Sequence, residues 1–192
     1  MAERRARIWL VISAALLFLG LWVFLFRGAL FAPAMPVSAS VSGKIPSTDL
    51  ISDAGEVLSF EGAILKLFDD DASARYTLIV FWATWCTPCL QELPLVEKRL
   101  LTWESSGTRV LLVNFDNAHT SEDREKALVW LRSLAPSLKT IFDPRDSLIQ
   151  GLEISALPFN ALVDRNLNWI WSAYGSLNFD ELEKRFISPP QK

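Results

Sequence analysis

Hydrophobic and polar positions follow two different periods along the chain, and together they predict an α/β protein. Residues 76–82 (YTLIVFW) and 109–115 (RVLLVNF) are nearly continuous β-branched and aromatic runs, as expected for strands buried on both faces. Residues 86–103 and 121–134 instead repeat apolar side chains at helical spacing. Ser121 is the expected N-cap of the second helix. Its apolar stripe comprises Ala127, Leu128, Trp130, Leu131 and Leu134.

Shorter patterns continue this alternation of strands and helices. They predict a hairpin at 49–60 with its turn at Asp53-Ala54-Gly55, a strand at 138–142, a short helix ending near 152, strands at 159–163 and 167–172, and a terminal helix at 178–186. This order predicts a mixed central sheet with helices on both faces.

The most hydrophobic segment lies near the N-terminus. Residues 8–26 (IWLVISAALLFLGLWVFLF) carry no charge, and a helix of that length spans about 28 Å, close to the hydrocarbon thickness of a bilayer. Arg4, Arg5 and Arg7 precede this segment. The positive-inside rule therefore predicts a cytoplasmic tail at residues 1–7, a single-pass anchor in a bacterial inner membrane and a periplasmic domain.

The composition of the segment that follows the predicted anchor indicates a flexible tether between the anchor and the folded domain. Residues 27–44 are rich in Ala, Pro, Ser and Gly, which leaves residues 45–188 as the folded domain.

Two alternatives to a membrane anchor at residues 8–26 remain. A cleaved signal peptide would have a shorter apolar run, although Ala32-Pro33-Ala34 imitates a cleavage site. A buried core helix would show a polar face, and residues 8–26 show none.

Composition and charge narrow the class of function. The chain has 192 residues, 51% of them hydrophobic, which is enough for one globular domain with appendages. Its net charge is −3; because residues 1–27 carry +3, the remainder carries −6. This balance excludes a basic nucleic-acid-binding surface. Two cysteines and the single His119 exclude a disulfide-dense scaffold and an imidazole-rich metal centre.

The two cysteines lie in the motif Cys86-Thr87-Pro88-Cys89, directly between a predicted strand and a predicted helix. Unpaired N–H groups and the positive end of the dipole at a helix N-terminus stabilise a thiolate. We therefore expect Cys86 to be an exposed nucleophile and Cys89, one turn later, to be the resolving thiol. Pro88 suits the first helical turn, whereas Pro94 predicts a kink.

Two other interpretations of the cysteine pair are structural. Half of a zinc site would need two further ligands, and His119 is the one spare nitrogen candidate. A purely structural bridge would close so short a loop that it would remove little entropy from the unfolded chain. Both interpretations are weaker than redox chemistry.

Residues 81–94 (FWATWCTPCLQELP) resemble the active-site segment of the thioredoxin superfamily, specifically of the membrane-anchored TlpA/ResA-type thiol-disulfide oxidoreductases. The resemblance covers residues 45–188. It implies a thioredoxin-like α/β fold with an N-terminal β-hairpin and a central helix–strand insertion. The separation of 69 positions between Cys89 and Pro158 holds that insertion but not the large helical insert of DsbA-like oxidants.

The resemblance also assigns roles to particular residues. It implies a cis-proline at Pro158, whose preceding residue, Leu157, would pair with an extended substrate strand. Glu92 matches a glutamate that is thought to move protons at the cysteines, and the alternative is a solvated helix residue. The implied catalytic residues are Cys86, Cys89 and Glu92, and the implied substrate-binding residues are Trp85, Thr87, Pro88, Leu157 and Pro158.

The chain departs from the family pattern at three places. Val80 stands where thioredoxin has a buried aspartate, Ala156 replaces a glycine, and Phe159-Asn160 replaces a threonine-rich pair after the proline. These differences leave the fold intact, but they make the substrate preference an open question.

The implied function is a periplasmic reductase of disulfides in exported proteins, with no cofactor or metal beyond its own Cys86–Cys89 disulfide. Electrons would come from a membrane thiol transporter of the DsbD/CcdA kind, and the usual client is the CxxCH site of apocytochrome c. Other exported cysteine proteins or a copper-site assembly factor are alternative clients.

The sequence also leaves two alternative functions open: an assembly chaperone that binds clients through Trp85, Pro158 and Phe159, and a net oxidant. A peroxiredoxin-like peroxidase fits less well, because no Pro-x-x-x-Thr pattern precedes Cys86.

Overall fold

The computed structural model of the protein describes residues 37–38 and 44–187. The predicted anchor at 8–26 and most of the predicted linker lie outside these residues. None of the helices within the described ranges has both the length and the apolar character that crossing a membrane requires.

Strands and helices alternate through the described part of the chain. The strands are β1 (Val37–Ser38), β2 (Asp49–Ser52), β3 (Val57–Ser59), β4 (Tyr76–Trp82), β5 (Thr108–Asn114), β6 (Thr140–Phe142), β7 (Phe159–Asp164) and β8 (Trp169–Tyr174). The helices are α1 (Phe60–Asp69), α2 (Thr87–Ser105), α3 (Ser121–Leu134), α4 (Ser147–Gly151) and α5 (Phe179–Leu182), and α5 continues into a π-helical turn at Glu183–Ile187.

The strands form one mixed sheet in the order β1-β8-β7-β4-β5-β6-β2-β3. Strand β4 is parallel to β5, with Trp82 opposite Asn114. It is antiparallel to β7, with Phe81 opposite Phe159. The segments that follow β4 and β5 and the segment that precedes β7 therefore meet at one edge of the sheet, where the functional residues are found.

Helices cover both faces of the sheet, as predicted. On one face, Leu93 of α2 and Leu131 of α3 belong to the same buried cluster as Leu78 of β4. On the other face, Phe60 and Ile64 of α1 share a second cluster with other sheet residues. Because β4 is buried on both faces, its sequence is apolar at nearly every position.

Several predicted elements are confirmed at or near their bounds. Strand β4 and helix α3 have the predicted limits, and β2 and β3 form the predicted hairpin around Gly55, whose φ of +87° suits glycine. The predicted insertion is also present, as α3 and β6. Helix α2 continues through Pro94 from Thr87 to Ser105.

The predicted N-cap of α3 is wrong by one residue. The cap is Thr120, not Ser121: the Thr120 Oγ1 accepts the N–H of Asp123 at 3.1 Å, and the Asp123 carboxylate accepts the Thr120 N–H. This reciprocal pair satisfies two groups that would otherwise lack a partner at the helix start. Trp130, predicted in the apolar stripe, is 50% exposed, because α3 buries only Ala127 and Leu131.

Other element bounds differ from the prediction. Helix α1 was not predicted; it begins where the hairpin ends, with the Ser59 Oγ accepting the Gly62 N–H at 3.0 Å. Strand β8 begins at Trp169 rather than 167, because Leu167 has a φ of +63° and belongs to the turn. The predicted terminal helix is divided between α5 and the π-helical turn.

Candidate functional site

The predicted strand–CxxC–helix arrangement is present between β4 and α2. Cys86 is the N-cap of α2, with extended backbone angles, and its Sγ accepts the N–H of Cys89 at 3.3 Å. Its own N–H donates to the Ala83 carbonyl at 3.1 Å. An N–H group and the positive end of the helix dipole thus point at Cys86 Sγ, the arrangement that stabilises a thiolate after reduction.

Cys86 and Cys89 are joined by a disulfide, with 5.3 Å between their Cα atoms. Cys89 Sγ also lies 3.9 Å from the Phe81 carbonyl oxygen at the end of β4. Pro88 occupies the first turn of α2, as predicted. The structure is therefore that of the oxidised state of a vicinal redox pair.

The expectation that Cys86 faces water is wrong for this oxidised state, in which the residue is only 4% exposed. The reason is that Cys86 packs in the same apolar cluster as Trp82 and Leu93. Its neighbours form an exposed rim instead: Trp85 is 66% exposed, and Thr87 and Pro88 are also exposed. A client that reaches Cys86 must therefore contact this rim.

The predicted cis-proline is confirmed, since the peptide bond between Leu157 and Pro158 is cis. Pro158 is buried directly before β7, whose first residue, Phe159, pairs with Phe81. Leu157 is partly buried and packs against both core clusters, including the one that contains both cysteines. The pairing of Phe159 with Phe81 thus places Leu157 and Pro158 at the same end of the sheet as the cysteine pair, 69 positions away in the sequence.

Glu92 is buried on α2 and is only 2% exposed, so it is not a solvated helix residue. Its Oε2 accepts the Leu177 N–H at 3.0 Å, whereas Oε1 has no hydrogen-bond partner among the described residues. Burial raises the pKa of Glu92 from 4.5 to about 7, against the lowering effect of the Leu177 N–H and the Asn160 side chain. A carboxyl with this pKa exchanges protons near neutral pH.

Asn160 is a second buried polar residue, and it belongs to the Phe159-Asn160 pair that differs from the threonine-rich pair of the family. It is fully buried on β7 opposite Val80, the position that is an aspartate in thioredoxin. Its Nδ2 donates to the Gly175 carbonyl at 3.3 Å. Glu92 on α2 and Asn160 on β7 are thus both buried polar residues, and β4 itself carries no carboxylate.

A second carboxylate, Asp116, holds the loop before Cys86, and sequence reasoning missed it. It accepts the Thr84 N–H at 3.0 Å, the Thr84 hydroxyl at 3.0 Å and the Asn114 Nδ2–H at 2.8 Å. Asn114 Oδ1 in turn accepts the Asp116 N–H at 3.0 Å. These bonds tie the end of β5 to the loop two residues before the nucleophile.

We expect Asp116→Asn to lower the free energy of unfolding by about 2 kcal/mol, because the amide lacks the charge and one of the acceptor oxygens that hold Thr84. Urea denaturation of the oxidised protein measures this loss. Asp53→Asn, in the exposed hairpin turn, is the matched control and should change stability by less than about 0.5 kcal/mol. Equal losses in the two variants would show that the contacts of Asp116 are unimportant.

Comparisons with known proteins support this fold and the class of thiol-disulfide oxidoreductases. ResA, a thiol-disulfide oxidoreductase of Geobacillus kaustophilus, is 21% identical over 62% of this chain and 65% of its own length. The thiol:disulfide interchange protein DsbE of Pseudomonas aeruginosa is 28% identical over 78% of this chain and 74% of its own length. The thioredoxin domain of a thiol-disulfide oxidoreductase from Bacteroides vulgatus superposes with a TM-score of 0.59 at 18% identity, over 79% of this chain and all of that domain.

These matches confirm the thioredoxin-like fold and the predicted similarity to ResA-type thiol-disulfide oxidoreductases. The alignment with ResA spans slightly less than two thirds of that protein. The model of the AhpC/TSA family matches residues 45–185, which is well over half of the chain. The protein is therefore a member of the AhpC/TSA family.

Proposed function

We propose that this protein is a thiol-disulfide oxidoreductase of the ResA/DsbE type that reduces disulfides in exported proteins. The observation that carries the proposal is the Cys86–Cys89 disulfide at the N-terminus of α2, beside a cis-proline. The names of the relatives support the same reaction class. No cofactor is needed, because the cysteine pair itself carries the two electrons.

The reaction proceeds by two thiol–disulfide exchanges. The thiolate of reduced Cys86 attacks one sulfur of the client disulfide, which forms a mixed disulfide and releases the first client sulfur as a thiolate. The thiolate of Cys89 then attacks Cys86 Sγ and releases the second client thiolate. The client gains two electrons, and the cysteine pair loses them and returns to the disulfide of this structure.

Glu92 is the proposed acceptor of the Cys89 proton in the second step. It lies three residues after Cys89 on the same helix, so both side chains project from the same side of α2. Cys89 is buried like Glu92, so bulk water does not replace the Glu92 carboxylate as the proton acceptor there. A pKa of about 7 for Glu92 allows it to take a proton and to release it again near neutral pH.

An extended client segment would bind along residues 155–157. Within the described part of the chain, the backbone N–H and C=O groups of Ala156 and Leu157 form no intramolecular hydrogen bond. Ala156 is exposed, so these groups are available to a partner strand. The exposed Trp85 would add apolar contact on the other side of the sulfur atoms.

We also propose which clients the protein reduces, where its electrons come from and where in the cell it acts. We infer reduction of the CxxCH cysteines of apocytochrome c, with electrons from a membrane thiol transporter of the DsbD/CcdA type. Residues 8–26 support a single-pass anchor, and Arg4, Arg5 and Arg7 support a cytoplasmic N-terminus with the domain in the periplasm. Because the exported part of the chain is acidic, anionic lipid does not attract its surface, and we expect its clients to be soluble or loosely tethered proteins.

The direction of electron flow is tested by the reduction potential of the cysteine pair, measured by equilibration of the full chain with glutathione buffers. We expect a value nearer the thioredoxin potential of about −270 mV than the DsbA potential of about −120 mV. A value near the DsbA potential would make the protein a net oxidant and would contradict the reductase proposal.

A further inference from the structure

Tyr174 is the last residue of β8, directly opposite Phe159 at the start of β7. The centroids of the Tyr174 and Phe159 rings are 5.0 Å apart. The next residue, Gly175, donates its N–H to the Pro158 carbonyl at 2.8 Å. The tyrosine ring is therefore fixed beside the cis-proline by two neighbouring contacts, and its hydroxyl projects from a well-anchored position.

That hydroxyl makes three hydrogen bonds to the loop that precedes Pro158. It accepts the Ser155 N–H at 3.2 Å and the Ser155 hydroxyl at 3.3 Å. It donates to the Glu153 carbonyl at 3.5 Å. A single side-chain oxygen thus connects two loop residues, one of which, Glu153, has a φ of +53°.

Besides the packing of Leu157 against the core, the loop has few constraints between its two anchored ends. Ile154 is buried and donates its N–H to the Ile149 carbonyl at 2.9 Å, and Pro158 is buried at the other end. Between them, the hydrogen bonds found in the described part of the chain are those of Ser155 to Tyr174. The hydrogen bonding that orients the backbone of this loop at Ser155, before Leu157 packs into the core, therefore depends on the Tyr174 hydroxyl.

We propose that Tyr174 is a positioning residue that holds residues 155–157 in the orientation required for backbone pairing with a polypeptide client. The proposal rests on the proposed function, because it concerns the same client-binding segment. A segment already ordered by Tyr174 loses less conformational freedom when a client strand binds. A small disulfide, which has no strand to pair, does not gain from this order. Tyr174 thus sets the preference for polypeptide disulfides over small ones.

The test compares Tyr174→Phe, which removes only the hydroxyl, with Tyr76→Phe, which changes the chain's other tyrosine. Tyr76 begins β4, at the end of that strand away from the cysteines, and is the matched control. The reduced full chain is mixed with increasing concentrations of a synthetic peptide that contains one CxxC disulfide, and separately with bis(2-hydroxyethyl) disulfide, which has no peptide group. The half-saturating concentration and the maximal rate are measured for each.

We expect Tyr174→Phe to raise the half-saturating peptide concentration about fivefold to tenfold while the maximal rate stays within about twofold. The ratio of the catalytic efficiency with the peptide to that with bis(2-hydroxyethyl) disulfide should fall by the same factor, and amide hydrogen exchange at Ser155 should accelerate. Tyr76→Phe should change neither quantity. An unchanged ratio in Tyr174→Phe, or equal losses with both disulfides, would overturn the role of Tyr174 alone. Failure of the unmodified protein to reduce either disulfide would overturn the proposed function and this inference with it.

Discussion

A Cys89→Ser variant is expected to retain its client as a covalent mixed disulfide with Cys86, whereas Cys86→Ser is expected to form no adduct. The reason is the geometry of the N-cap, where the Cys89 N–H and the helix dipole act on Cys86 Sγ. Without Cys89 the second exchange lacks its thiol, so the first intermediate accumulates. Turnover in either variant should fall by at least about a thousandfold.

The adduct is detected in membranes of cells that express the full chain, by non-reducing electrophoresis and mass spectrometry. A variant with both cysteines replaced by serine is the control for non-covalent capture. Adducts that depend on Cys86 and contain a CxxCH protein would support both the mechanism and the proposed client. Adducts formed by Cys86→Ser instead would reverse the assigned roles, and the absence of any adduct would contradict the exchange mechanism. Retained client function in Cys86→Ser would favour an assembly chaperone.

The parts of the fold that the sequence predicted well are those in which burial acts on every residue of an element. Strand β4 lies between β5 and β7 and has helices on both faces, so nearly all of its positions must be apolar and its limits are sharp. The cysteine motif was identifiable because its chemistry depends on a strand end and a helix start that are adjacent in sequence. Local signals of this kind do not require knowledge of distant contacts.

Helix α1 was missed although the sequence carries a signal for it. Ser59 precedes Phe60, Ala63, Ile64 and Phe68, which is a helical apolar spacing after a capping residue. The hairpin pattern of residues 49–60 ends at the same point and obscured that signal. The Thr120 cap was misplaced by a single residue because Thr120 and Ser121 are both good capping residues.

Apart from the cis-proline, which the resemblance implied, the hydrogen bonds that shape the site were not predictable, because they join residues far apart in the chain. Asp116 binds Thr84, 32 residues earlier, and Glu92 is bound by the Leu177 N–H, 85 residues later. A glutamate on an amphipathic helix is normally solvated, and only the sheet edge and the loop after β8 decide that this one is buried. The Tyr174 contact with Ser155 is of the same long-range kind.

The buried carboxyl of Glu92 should give the oxidised protein a marked pH dependence of stability. Burial raises its pKa from 4.5 to about 7 in the folded state. Between these two values the folded protein binds more protons than the unfolded chain, so the free energy of unfolding falls as the pH rises. The contribution of Glu92 is fully present below its unfolded pKa and is lost as the pH rises through about 7. The total loss is about 3 kcal/mol.

Glu92→Gln removes this titration while retaining the shape of the side chain. Urea denaturation of the full oxidised chain, in mild detergent, should show the unmodified protein losing about 3 kcal/mol relative to Glu92→Gln between about pH 4 and pH 8. Glu56→Gln, which alters an exposed glutamate in the hairpin turn, should retain the pH dependence of the unmodified protein. If Glu92→Gln retains this pH dependence as well, the Glu92 carboxyl is ionised at little cost in the folded protein, and its role in proton exchange near neutral pH is contradicted. A free energy of unfolding that falls as the pH falls would have the wrong sign for a buried carboxyl with a raised pKa. A group other than Glu92 would then dominate the pH dependence of stability.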